Sequence, residues 1–299
     1  MSSSEISALI SLIEDPDEGI FTQVSAELIS KGEEVIPHLE RYWEFNAFGS
    51  LFQDRVEQLI QSIHYNCIHT RLETWAEDDT NDLLEGAILI NKYQYPSFDE
   101  EEVRRQVNAL RQDIWLELND NLTAIEMVNV INHILFTVHG FEGNKNNYSA
   151  PQNSYIADVL NTKKGNPLSL AILYQVLANR LEIPIYGVNL PNHFVLAYLD
   201  ENRMGMAPEA CHDSGVLFYV NPFSGGTIIH KSEIDEFLLH LELPKKVEFY
   251  QPCKNVDIIR RMINNLIYAY KQDGKLSKVN ELQKLQQLVS VPGVSGSAE

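Results

Sequence analysis

Residues 168–181, Leu-Ser-Leu-Ala-Ile-Leu-Tyr-Gln-Val-Leu-Ala-Asn-Arg-Leu, constrain the fold of this protein more than any other stretch. The segment has only four polar positions, Ser169, Gln175, Asn179 and Arg180. At 100° per residue those four fall in one arc of roughly 140°, and Ile172 and Val176 share it. A helix this apolar has to be enclosed on nearly every side, because an amphipathic surface helix needs a polar face that this one lacks. Both ends are punctuated. Asn166-Pro167 joins a favoured N-cap to a favoured first helical residue, and Ile183-Pro184 breaks the helix. The protein is therefore predicted to hold a buried central helix, which the remaining segments must cover.

Part of that cover is a sheet. The runs 186–190, 194–199, 216–220 and 227–229 are rich in β-branched and aromatic residues and read as strands. The rest is helical. Residues 5–14 carry Ile6, Leu9, Ile10 and Ile13 at helical spacing, and Asp15-Pro16-Asp17 interrupts them, with Asp17 placed to cap the next helix. Further helices are predicted over 33–45, 51–69, 82–93, 99–117 and 124–138, a short one capped by Ser154 through Leu160, and a hairpin over 256–289 broken at 272–275. The fold class predicted is α+β, with a helix packed on a small antiparallel sheet. Four regions are expected: a helical one over 1–95 that resembles a single HEAT-type repeat, a core over 96–250, a hairpin over 251–290 that resembles one tetratricopeptide repeat, and a disordered tail over 291–299.

Charge narrows the partners. Among 299 residues, 42 are acidic and 23 are Lys or Arg, for a net charge of −19. Nucleic acids and anionic membrane surfaces both need a basic footprint, so neither is expected as a main partner. The local exception is Lys245-Lys246, Lys254, Arg260 and Arg261. Cys67, Cys211 and Cys253 are far apart and odd in number, which matches neither a disulfide framework nor a zinc pattern. His64 and His69 are five apart, so they do not share a helix face as a zinc pair would. The start Met1-Ser-Ser-Ser-Glu-Ile lacks a basic, apolar leader, and no apolar run reaches the roughly 18 to 20 residues that span a bilayer. A cytoplasmic location is expected. Gly-x-x-x-x-Gly-Lys and Gly-x-Gly-x-x-Gly are both absent, and no cofactor or metal is expected.

The candidate site follows from the order of motifs. Gly165-Asn166-Pro167 opens the apolar helix, Pro191-Asn192-His193-Phe194 opens a strand, and Asn221-Pro222-Phe223 closes the next one. That order resembles the core of transglutaminase-like and papain-like thiol enzymes, with Cys at a helix start, His on a strand, and Asp or Asn on the following strand. Other strings, Asn132-His133-Ile134-Leu135-Phe136, Gly140-Phe141-Glu142-Gly143-Asn144, Asn221 to Gly226 and Arg260-Arg-Met-Ile-Asn-Asn-Leu266, resemble the SirB family of transglutaminase-like proteins. The resemblance covers nearly the full length. It implies an α+β papain-like core flanked by helices, and it supplies no established reaction or cofactor. It maps the Cys-His-Asp set of active enzymes onto Pro167, His193 and Asn221.

Two of those three positions are changed, and a pyrrolidine ring carries no nucleophile. Ser169 is the one substitute nearby, but two residues further along a helix is a rotation of roughly 200°. Asn221 can orient an imidazole yet brings no negative charge to favour its protonated form. The function expected is therefore a non-catalytic protein that binds a peptide or protein segment through a degenerate cleft, with Asn166, Asn192, Phe194 and Phe223 as binding residues. Two alternatives stand beside it. One is a hydrolase or acyltransferase using Ser169 or a distant Cys with His193. The other is a metal-dependent activity at Cys211-His212, within the cluster Cys211-His212-Asp213.

Overall fold

The structure is a computed structural model that describes residues 3–44, 50–200 and 215–290. Cys211-His212-Asp213 and the tail over 291–299 lie outside the described residues. The protein divides into two compact units, Met1–Thr74 with Lys92–Ser97, and Trp75–Asn91 with Phe98–Glu299.

The first unit is helical. Helices α1 (Ser3–Ser11), α2 (Glu18–Ser30) and α3 (Ile36–Glu44) pack with the first part of α4 (Ser50–Glu77). Ile10, Ile13, Leu28, Val35, Leu39, Phe52 and Val56 are fully buried between them, because each helix turns its i, i+3, i+4 stripe inward. The Asp17 carboxylate caps α2 by accepting from Gly19 N at 2.7 Å, as the Asp-Pro-Asp break suggests. The buried Arg55 guanidinium holds the same break from α4. It donates to Ile13 O at 2.7 Å and Asp15 O at 2.6 Å, and pairs with Glu18 at 2.7 Å. Helix α4 runs eight residues beyond the predicted end at 69, to Glu77, because Leu72 and Trp75 continue its buried stripe.

The second unit holds the apolar helix. Most of α5 (Leu83–Gln94), then α6 (Glu100–Glu117), α7 (Ala124–Asn132) with its widened extension His133–Val138, and α8 (Ile156–Thr162) precede α9 (Pro167–Asn179). Every residue of α9 from Pro167 to Ala178 is buried, as its composition demands. Its cover is a four-stranded antiparallel sheet on one side and helices α6, α8 and α11 on others. Strands β3 (Ile185–Leu190), β4 (His193–Leu199), β5 (Val216–Asn221) and β6 (Thr227–Ile229) lie in sequence order. Ahead of them, β1 (Glu142–Gly143) and β2 (Lys164–Gly165) form a short parallel pair. The predicted α+β arrangement of a helix on a small antiparallel sheet is the one observed.

Two local readings need correction. Ser154 does not cap α8, which starts at Ile156 after Tyr155; its hydroxyl instead accepts from Asn166 Nδ2 at 2.9 Å. A helix absent from the sequence reading, α10 (Lys231–His240), follows the sheet. It buries only Ile234 and Leu238, one i, i+4 pair, which is too little periodicity to stand out. Its start signal was nonetheless present, since Glu233 accepts from His230 N at 2.7 Å in a capping arrangement. The unit closes with α11 (Asn255–Gln272) and α12 (Leu276–Leu288), joined through Gly274 at φ +70°.

Candidate functional site

Three pieces of the second unit build a cleft of about 410 Å³. The first is the start of α9. Asn166 Oδ1 accepts from Ser169 N at 2.8 Å, and Ser169 Oγ accepts from Asn166 N at 3.0 Å, a reciprocal cap that fixes Pro167 as the first helical residue. The second is the β3–β4 hairpin. Leu190 pairs with His193 across it, so the turn is Pro191-Asn192, with Asn192 at φ +55°. Asn tolerates that left-handed conformation better than most residues. The third is the middle of α11, which presents Arg261, Asn264, Asn265 and Tyr268. The segment from Tyr148 to Ser154 closes the remaining side.

Asn166, Pro167, Asn192, His193 and Phe194 come together on the cleft wall. Ser169, Asn221 and Phe223 are not on that wall. Ser169 is only 2% exposed, and its hydroxyl is committed to the helix cap. Phe223 lies behind the wall, meeting the Tyr148 ring edge-on with centroids 5.8 Å apart. It also seats against Gly143, where an added Cβ would lie 2.6 Å from the Phe223 ring. Asn221 ends β5, its Nδ2 reaching Ser224 Oγ at a long 3.4 Å. Its Oδ1 is buried without a hydrogen bond of full geometry.

The electrostatics centre on His193. Burial pushes its imidazole below the ordinary histidine value, the Asn221 amide opposes that shift, and the nearby Arg261 charge adds to it. Asn221 therefore lies close enough to act on the ring, although no hydrogen bond between the two closes. An imidazole N–H is the kind of donor that the orphaned Oδ1 lacks. The neutral ring is the form a general base requires, but no described residue on the wall presents it with a thiol. Cys253 is half-buried beside β3, where its N–H donates to Gly187 O at 2.8 Å. Burial and the Asp257 charge push its thiol up to about 12, the reverse of the shift a thiolate nucleophile needs. Cys67 belongs to the other unit, and burial and Glu33 raise it as well. Among the described residues, no group of three or more His, Cys, Asp or Glu could hold a metal ion. No described helix is long and apolar enough to cross a membrane.

The sequence reading missed Tyr148, Asn264, Asn265, Tyr268 and the role of Arg261 on the wall. The string Arg260-Arg-Met-Ile-Asn-Asn was visible, but only as a resemblance and a local excess of positive charge.

Comparison with known proteins settles the lineage. The family model described as "Transglutaminase-like superfamily" matches residues 101–264. The protein belongs to the transglutaminase-like superfamily. It is 30% identical over 227 residues to a UPF0162 protein of Xylella fastidiosa (strain 9a5c), covering 74% of each of the two. A UPF0162 protein of Pseudomonas aeruginosa is 26% identical over 210 residues, 69% of this protein and 72% of that one. F-box only protein 21 of Mus musculus is 25% identical over 254 residues, which are 78% of this protein and 38% of that one. No solved structure matches. In this transglutaminase-like protein, the helix start and the strand histidine meet in one cleft, while neither described cysteine lines it.

Proposed function

We propose that this protein is a SirB-type, non-catalytic member of the superfamily that binds a peptide or protein segment in the cleft between α9, the β3–β4 turn and α11. The observation that carries the reading is Pro167 on the cleft wall with His193, where the resemblance puts the thiol. The chemistry of acyl transfer needs an activated nucleophile beside the base, and Pro167 offers no proton to remove. Ser169 is a poor substitute, because its hydroxyl already serves the helix cap. The wall itself suits a peptide. Asn166, Asn192, Asn264 and Asn265 offer amide donors and acceptors, and Tyr148 and Tyr268 are 51% and 60% exposed. Exposed aromatic rings and amides at a concave site are what backbone and side-chain recognition use. A location in the cytoplasm is part of the same proposal.

The test is site-specific photo-cross-linking in living cells. A benzophenone side chain at Tyr148 or Tyr268 should capture a polypeptide that the same group at Trp43, in the other unit, does not. Identical capture at all three positions would sink the binding reading. In parallel, the purified protein should leave a defined peptide mixture uncleaved, and cleavage that His193→Ala abolishes would restore the enzyme reading.

A further inference from the structure

The cleft wall contains no Asp or Glu among the described residues, although the full sequence has 42 of them against 23 Lys and Arg. The charge it does contain is Arg261. Three other shielded arginines have carboxylate partners: Arg55 pairs with Glu18 at 2.7 Å, Arg104 with Glu85 at 2.7 Å, and Arg260 with Asp257. Arg261 pairs with no carboxylate among the described residues. Its Nη1 donates to Asn189 Oδ1 and Leu190 O, and its guanidinium sits over the Phe194 ring at 5.7 Å. Those contacts fix the group rigidly at the base of the β3–β4 turn. They use one nitrogen. The Nε–Nη2 edge has no acceptor among the described residues, and that edge is the fork that matches the two oxygens of a carboxylate.

We infer that Arg261 receives a carboxylate of the segment that occupies the cleft, borne by an acidic side chain or by the free terminus of a polypeptide. This rests on the reading of the cleft as a peptide site. The physical case has three parts. A shielded guanidinium without a counter-charge is costly, so an incoming carboxylate gains the full value of an unshared partner. The aromatic face of Phe194 and the two oxygens on Nη1 pre-organise the fork, so little side-chain freedom is lost on binding. The wall has no described carboxylate of its own, so an acidic group that reaches Arg261 meets no like charge on the lining. Burial and the neighbouring Tyr148 and Cys253 act on Arg261 in opposite directions, and the guanidinium stays charged throughout the physiological range.

The test is a titration of the ¹⁵N-labelled full-length protein with three probes, following the Arg261 Nε–H resonance and the amides of Asn192 and His193. The probes are acetyl-Ala-Glu-Ala-amide, acetyl-Ala-Gln-Ala-amide, and acetyl-Ala-Gln-Ala with a free terminal carboxylate. One of the two carboxylate probes should move the Arg261 resonance and bind at least about tenfold more tightly than the neutral amide. Which of the two does so identifies the source of the carboxylate. Arg261→Gln should erase the preference while leaving weak binding of all three. Should Arg261→Gln fail to fold, Arg261→Lys keeps the charge and removes the fork, and the preference should fall at least about threefold. If all three probes move the cleft amides equally, or if the preference survives in Arg261→Gln, the inference on Arg261 is overturned and the peptide site stands. If no probe moves the cleft amides, both are overturned.

Discussion

The cap that opens α9 is the feature on which the geometry of the cleft depends, and its energy can be worked out from its contacts. Asn166→Ala removes the acceptor of Ser169 N, a 2.8 Å bond at a helix N-cap, which costs about 1 kcal/mol and up to about 2. It also removes the donor to Ser154 Oγ at 2.9 Å, where Ser154 is 4% exposed. A buried polar group left without its partner costs about 1–3 kcal/mol. The two losses overlap in one small region, so about 3 kcal/mol is expected in total. Ser169→Ala removes the acceptor of Asn166 N at 3.0 Å and should cost about 1–2 kcal/mol. Because the two side chains bond each other's backbones, the double variant should cost less than the two single losses combined, by about 0.5–1 kcal/mol or more. Urea unfolding followed by circular dichroism gives the three values, and hydrogen exchange at the amides of Ser169 and Leu170 shows whether the loss is local. A cost below about 0.5 kcal/mol for Asn166→Ala, or strict additivity of the pair, would refute the cap and reopen a separate role for the Ser169 hydroxyl.

Pro167→Cys places a thiol at the first turn of α9, on the wall with His193, where the helix N-terminus lowers a thiol pKa. It should react with iodoacetamide faster than Cys253 in the same protein, and equal rates would disprove the assigned register. His193 is held below its ordinary value of 6.5 by burial, so the unfolded state binds the proton more readily. Stability from this group is present above pH 6.5 and is lost as the pH falls toward the lowered value, so the urea midpoint of the wild type should drop between about pH 7.5 and about pH 5 by more than that of His193→Gln. Equal drops would show that the imidazole is not buried as described. At Gly226, φ is +76° and an added Cβ would lie 1.8 Å from Asn132 Oδ1, whose Nδ2 donates to Gly226 O at 2.8 Å. Gly226→Ala should therefore cost about 2 kcal/mol or more in thermal or urea unfolding, and a neutral outcome would mean that the turn after β5 is not held as seen.

The sequence by itself determined the central helix, because a run of apolar residues with no polar face has one stable fate, complete enclosure. It also determined where that helix begins, since Asn and Pro act on their own backbone and their neighbours within one turn. The four strands of the antiparallel sheet were legible to within a residue for the same reason, β-branched and aromatic composition being local information, whereas the two-residue pair β1–β2 was not. Legibility fell where the signal was short, as in α10, whose two buried positions make no period, and at Ser154, whose hydroxyl serves a residue twelve positions away rather than the next helix. The cleft was legible only in part. Pro167 and His193 could be placed together by the order of motifs, and the turn of Ser169 away from them followed from helix geometry, whereas the absence of Asn221 and Phe223 from the wall had no pattern in the sequence. Arg261 marks the limit most clearly. It is 72 residues from Asn189 in sequence, and only the packing of α11 against β3 and the hairpin turn brings its guanidinium to the wall. Local residue choice decided which elements form and where they start. Tertiary packing decided which charges lack a partner, because a charge is paired or unpaired only with respect to neighbours that folding supplies.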